Sequence, residues 1–323
     1  MKFITFLFPI LFLALLEVPA QTPSEPTQEE STSEEKKLTR IVGQPRTKSE
    51  NDAWIAITKM ENQKVQVRLV NDFLQNYPNS GLTAYAYRIL ADVAYQENNL
   101  HRFVNYGEKA LEELPKEGGL LAQLSYIYAE EGKATKAINY ATRALLALKD
   151  LEKPDNQPSL QWLKVKQGMK ADANYALGRS HLEKWQKTTP RPINQLQMSI
   201  KYLSQALELA PDHAYAAFRL GFAQRVSQKA EAALSSYSRA SVIESPAREI
   251  ARKQSSTLLK NLKRIPESKW AKMSLGDVLK EEEKLMESKL AANEMELSRL
   301  AAQLDSRQLL QFKSLIPSDI PSE

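Results

Sequence analysis

The sequence predicts an all-α chain built from stacked pairs of helices, and three observations predict it. Ala, Leu, Glu, Lys and Gln abound, whereas 323 residues hold only 10 glycines, a composition that favours helix over sheet. A leucine followed by a small residue recurs at Leu90-Ala91, Leu124-Ser125, Leu177-Gly178 and Leu220-Gly221. Further along each unit an alanine recurs at Ala110, Ala144, Ala206 and Ala240, at separations of 34, 62 and 34 residues. The leucine separations are 34, 53 and 43, so both series fit one 34-residue period interrupted by insertions of 19 and 9 residues. Such self-similarity is the mark of a repeat architecture.

The period has a physical reading. Each unit is two antiparallel helices. The Leu-small step lets the first helix approach the second closely, and the alanine on the second helix leaves room for the next unit to dock. A proline then ends the second helix, because it has no amide hydrogen to donate. Pro78, Pro115 and Pro211 stand where that stop is expected, and Pro246 is one residue late.

This pattern resembles the tetratricopeptide repeat. The clearest copy is 214–247, with Leu220-Gly221, Ala233, Tyr237 and Ala240 at the family spacing. Unit 84–117 carries Leu90-Ala91, Ala110 and Pro115; unit 118–151 carries Leu124-Ser125, Tyr128, Ala137 and Ala144; unit 171–213 carries Leu177-Gly178, Ala206 and Pro211. A degenerate first unit fits 46–80 through Val67, Phe73 and Pro78, with Phe73 where the other units have alanine. The family's tryptophan position is held by Tyr87, Leu121, Asn174 and Ala217, so no copy is complete. The resemblance implies a right-handed superhelical solenoid over 49–264, with a capping helix at 248–264 and an extra long C-terminal helix within 265–323.

The flanking elements follow in chain order. Lys2 precedes an uncharged apolar run, Phe3 to Leu16, followed by Val18-Pro19-Ala20. This reads as a signal peptide over 1–20, cleaved before Gln21, with the chain then exported to the periplasm or secreted. The rival reading is an uncleaved membrane anchor, for which the run is short against the roughly 20 residues of a span. Residues 21–48 are rich in Ser, Thr, Pro and Glu and poor in apolar side chains, which predicts a disordered acidic linker. The 19-residue insertion, near 152–170, predicts a loop and then a helix from about 160 to 185 with Ser159 as its cap. The 9-residue insertion, near 184–197, predicts a projecting loop around Pro190-Arg191-Pro192. Ile250, Leu258 and Leu262 are expected on the inner face of the capping helix, which a repeat stack needs to close its last apolar face. Ser274 and Asp277 form a capping pair that opens a helix over 275–312.

Signals for catalysis are missing. The chain has no cysteine, which rules out disulfides, thiolate metal sites and thiol nucleophiles in it. His101, His181 and His213 are isolated and lack the spacing of a helical zinc site. No glycine-rich phosphate loop is present, and Gly118-Gly119 reads as a turn between repeats. Acidic pairs such as Glu112-Glu113 and Glu130-Glu131 read as solvated helix ends. The expectation is therefore a non-enzyme without metal or cofactor.

The family resemblance implies that a concave surface comes from fixed positions of each first helix. Here these are Tyr85, Arg88, Asp92 and Tyr95, then Tyr126, then Asp172, Tyr175 and Arg179, then Tyr215, Phe218, Phe222 and Arg225. Tyrosine and arginine dominate binding hot spots, so the expected function is a scaffold holding a peptide or protein partner outside the cytoplasm, in a bacterial envelope or an exported eukaryotic setting. Phe218 and Phe222 serve equally well as packing residues. No nucleic-acid partner is implied by a net charge of +5. Two further surfaces stay open. Residues 248–272, with eight basic and two acidic side chains, suit either a solvated cap or contact with an acidic partner or membrane surface. Residues 275–312, with Leu290, Leu297 and Leu304 seven apart, suit either packing back on the repeats or self-association. Through these two surfaces the alternative function is that of an assembly subunit in a cell-envelope complex.

Overall fold

The computed structural model describes residues 41–315, apart from positions 155 and 266, with side chains as far as 307. The expected signal peptide, the linker up to residue 40 and the tail from 316 lie outside those residues. All regular structure described is helical, in two compact units, 41–117 and 118–315. Among the described residues no helix is long and apolar enough to cross a membrane.

The first unit holds α1 (Lys48–Thr58), α2 (Gln63–Asn76), α3 (Thr83–Gln96) and α4 (Leu100–Glu113). Side-chain caps start three of them. Thr47, Asn62 and Asn99 accept from the backbone amides of Glu50, Val65 and Arg102, satisfying donors that the first helical turn leaves unpaired. Phe73 is buried and takes the rings of Trp54 and Tyr77 at 5.6 and 5.2 Å. The bulk that replaces alanine in this unit thus fills the space between α1 and α2.

Residues 41–47 depart from the expected linker. They form turns, and the Gly43 amide donates to the Gly81 carbonyl at 2.7 Å. The approach is possible because position 81 is glycine: a Cβ there would lie 1.8 Å from the Ile41 carbonyl oxygen. Glu50 holds the segment from the other side by accepting from the Arg46 amide at 2.8 Å.

The second unit holds α5 (Gly118–Glu130), α6 (Ala134–Lys149), α7 (Ser159–Lys187), α8 (Ile193–Leu209), α9 (Ala214–Val226), α10 (Ala230–Val242), α11 (Arg248–Leu262) and α12 (Leu275–Leu315). α5 packs with α6, α7 with α8 and α9 with α10, and each second helix packs on the element that follows. This is the paired packing of tetratricopeptide-like repeats. The repeating alanines are all sealed, with Ala110 in the first unit and Ala144, Ala206 and Ala240 in the second at 0% exposure. The Leu-small step also has its expected consequence. A Cβ on Gly178 would lie 2.6 Å from Leu203, and one on Gly221 would lie 2.8 Å from the Tyr237 ring.

Three hairpins reverse in the same way. Asn98, Gly132 and Gln228 have φ of 56°, 72° and 62°. In each, the next amide donates back five residues: Asn99 to Ala94, Lys133 to Tyr128 and Lys229 to Gln224, at 2.8, 2.9 and 2.9 Å. That pairing is the Schellman closure, which asks for a left-handed residue just past the helix end.

The insertions became helix. α7 runs 29 residues from its N-cap Pro158, so Ser159 is its first residue and not its cap. The loop expected around Pro190-Arg191-Pro192 is present, but shorter than the insertion. Only 188–192 connects α7 to α8, because helix continues up to the residues that Pro190 and Pro192 bar from it. Gly118 and Gly119 are buried and begin α5 instead of forming a turn; the Leu148 side chain lies 3.0 Å from where a Gly118 Cβ would be.

α11 caps α10 through Ala251, Ser255, Leu258, Leu259 and Leu262. Ile250, expected on that face, is 56% exposed. Seven residues make nearly two whole turns, which sets Ala251 in line with Leu258. α12 opens on the Ser274–Asp277 box: Asp277 accepts from the Ser274 amide at 2.8 Å, and Ser274 Oγ accepts from the Asp277 amide at 3.1 Å. It then lies along α10 and α7, burying Val278, Leu297 and Ala301. Its polar contacts are equally directed. Glu282 accepts from Ser235 Oγ and lies 3.8 Å from Arg239. Asn293 Nδ2 donates to the Glu208 and Leu209 carbonyls that end α8, at 3.0 and 3.3 Å. Lys164 pairs with Glu294 at 2.7 Å, and Ser159 Oγ donates to Asp305 at 2.5 Å.

Candidate functional site

The sequence-predicted residues fall into two sets, one in each unit. In the first unit they lie on α3. Arg88 is buried and committed: its Nε lies 3.0 Å from Asp92 and its Nη1 2.7 Å from Glu117. Burial alone would lower its pKa, but the charges of Asp92 and Glu117 outweigh burial and raise it. Tyr85 is half-buried, its hydroxyl packed over Gly43 of the N-terminal segment. Tyr95 places its ring 5.2 Å from Phe103 of α4. These contacts are internal, so α3 presents less open surface than the resemblance implies.

In the second unit the first helices α5, α7 and α9 bring a denser set together. Tyr175 of α7 is fully buried, which corrects its expected place on an open binding surface. Its ring lies 5.2 Å from Tyr126 of α5 and 4.7 Å from His213 at the start of α9. Its hydroxyl donates to Glu130 of α5. Burial, then the charge of Glu130, raises its pKa well above the ordinary tyrosine value. Glu130 also acts on Tyr215 of α9, whose pKa is raised first by burial and then by that carboxylate, against the charge of Arg219. The Glu130 carboxylate of α5 thus bonds the α7 tyrosine and acts on the α9 tyrosine only through its charge.

His213 caps α9. Its Nδ1 accepts from the Ala216 amide at 3.2 Å, so the neutral ring carries its proton on Nε2, which lies 3.8 Å from Asp172 Oδ1. Burial pushes the His213 pKa down to about 4 and the Asp172 pKa up to about 7. Asp172 keeps 21% side-chain exposure, whereas Glu130, the last residue of α5, is the exposed acidic group of this cluster.

The remaining predicted residues divide. Tyr126, Tyr215, Phe218 and Phe222 are each half-buried, packed on the core yet open on one side. Phe218 meets Tyr237 edge-on at 5.6 Å, and Phe222 also packs on the cluster of Leu182, Trp185 and Leu196. Arg225 is exposed and lies over the Phe222 ring at 5.5 Å. Arg179 points away into an ion pair with the buried Glu183, at 3.3 Å, which Lys187 joins at 2.5 Å. Glu183 lines a cleft of about 460 Å³ beside Gly132, Lys133, Lys136 and Lys184.

Sequence reasoning missed Glu130 and His213. Glu130 is exposed at the end of α5, as expected, but its bond with Tyr175 was not foreseen, although it lies four residues, one helical turn, after Tyr126. His213 read as an isolated histidine, although it directly precedes the first residue of α9, where a capping acceptor is wanted. Among the described residues no group of three His, Asp or Glu side chains could hold a metal ion.

No family model matches the chain, and no curated protein matches it in sequence. Among solved structures it is similar to MamA, with 18% identity over 63% of this chain and 93% of that one, and a TM-score of 0.41. It is also similar to YrrB, a TPR protein with an unusual peptide-binding site, with 16% identity over 69% of this chain and 96% of that one, and a TM-score of 0.42. Yeast Tom70 shows 13% identity over 68% of this chain and 41% of that one, with a TM-score of 0.41.

Proposed function

We propose that this chain is a non-catalytic scaffold that holds a peptide or protein segment along the α5, α7 and α9 face of its second unit. The observation that carries the reading is the set of half-buried Tyr126, Tyr215, Phe218 and Phe222 on the first helices α5 and α9, with the exposed Arg225 beside them. Aromatic rings held by packing offer large apolar area without losing further freedom on binding. The Tyr175–Glu130 bond ties α7 to α5 beneath this face; the buried Tyr175 is not itself a contact surface. The N-terminal apolar run, Phe3 to Leu16, supports the further proposal that the scaffold works after export, outside the cytoplasm.

A photoreactive residue in place of Tyr215 or Phe222 tests the reading. Leu146, 66% exposed on α6, supplies the control position. Crosslinking in the native host is expected to yield a discrete partner from the first two positions and none from Leu146. Equal labelling from all three positions, or none from any, sinks the proposal.

A further inference from the structure

We propose that the outer side of α11 and the turn after it dock on the surface of an anionic lipid bilayer. The chain carries a net charge of +5, and residues 248–272 alone carry eight basic and two acidic side chains, leaving the rest slightly negative. Thus the whole positive excess sits in one stretch. The structure shows that this charge faces water. Lys253, Lys260, Lys263, Arg264, Lys269 and Lys272 are all exposed. Arg248 is half-buried and is paired with the exposed Glu244 at 2.5 Å. Lys253 and Lys260, seven apart, stand opposite the α11 face that packs on α10.

Three features choose a bilayer over other anionic partners. Ile250 and Ile265 are 56% and 53% exposed within the basic field. Such side chains have no partner along a phosphate backbone but have one at the headgroup–acyl boundary. The aromatic residue of the stretch, Trp270, is buried, which removes the stacking platform that single-stranded nucleic acid uses. The cations are mostly lysines, compact point charges suited to a diffuse anionic surface more than to paired recognition of a carboxylate. Lysine near such a surface strengthens partition roughly fivefold per charge.

The test is sedimentation of the full chain with vesicles of phosphatidylcholine alone or mixed with phosphatidylserine, across a salt series. The neutral vesicles report what the apolar N-terminal run contributes by itself. The phosphatidylserine vesicles are expected to bind more chain, with the excess falling as salt rises. The triple variant K253E/K260E/K263E, whose folding is checked by far-UV circular dichroism, is expected to lose that excess, at least about a hundredfold in partition. The variant I250S/I265S is expected to weaken binding while leaving the salt slope unchanged. Equal sedimentation with both vesicle types, or an unaffected triple variant, overturns the proposal. Full binding by I250S/I265S, or binding to duplex DNA without binding to phosphatidylserine, also overturns it and makes the face a polyanion surface instead.

Discussion

Asp172 Oδ1 lies 3.8 Å from His213 Nε2, and burial moves their two pKa values in opposite directions, to about 7 and about 4 from ordinary values of 3.8 and 6.5. Asp172 holds its proton more tightly in the folded chain, so its contribution to stability falls as pH rises from about 4 to about 7. His213 holds its proton more tightly in the unfolded chain, so its contribution grows as pH rises from about 4 to about 6.5. The two slopes oppose each other across the shared window. Urea midpoints of D172N are therefore expected to climb with pH over that range, those of H213N, which keeps a capping oxygen, to fall, and those of the parent chain to change less than either.

Tyr175 and Tyr126 are expected to respond differently to truncation. Tyr175→Phe keeps the ring and loses the bond to the Glu130 carboxylate, costing about 1.5–3 kcal/mol. Tyr175→Ala opens a cavity and costs about 3–5 kcal/mol. Tyr126→Ala removes a half-buried ring and costs less than the second of these. Chemical denaturation ranks the three, and equal losses at Tyr126 and Tyr175 would contradict the burial of Tyr175.

Gly178→Ala is expected to destabilise by about 1–3 kcal/mol through overpacking against Leu203, since the contact includes the Leu203 backbone amide at 2.9 Å. A Tm equal to that of the parent chain would show that α7 and α8 are not in close approach there.

Gln228 holds a left-handed conformation, φ 62°, that strains an ordinary side chain by roughly 1–2 kcal/mol. Gln228→Gly is expected to raise stability by a few tenths to about 1 kcal/mol, the relief exceeding glycine's own entropy loss. A lowered midpoint would argue against the Schellman closure of α9.

Glu282→Ala is expected to cost about 3–5 kcal/mol by leaving the Arg239 guanidinium, 8% exposed, without its acidic neighbour. Hydrogen exchange should locate the loss in α10 and the first turns of α12. Unchanged protection there would mean that this carboxylate does not hold the helix down.

The hairpins were legible because sterics act at fixed spacing. An alanine wedged between helices admits no larger residue, so Ala144, Ala206 and Ala240 mark the period in sequence as plainly as they fill the core. The expected inner face of α11 is off at Ile250 because Ile250 stands eight residues before Leu258, past two whole turns, whereas Ala251 stands seven before it and is buried. The candidate site was less legible. A position on a first helix sets which way a side chain points, but not how much of it the neighbouring first helices cover. Tyr175 therefore reads like Tyr126 in sequence, yet it is sealed by a ring on each side and a carboxylate at its tip. Residues 41–47 read as linker because their ordering depends on Gly81, far along the chain, and not on their own composition.

The added N-terminal turns of α7 reach further than their own helix. Ser159 and Lys164 both belong to those turns, and both hold α12, through Asp305 and Glu294. The two departures of this chain from a regular array are thus mutually dependent. A chain with α7 cut back to ordinary length would leave the distal half of α12 without these two holds.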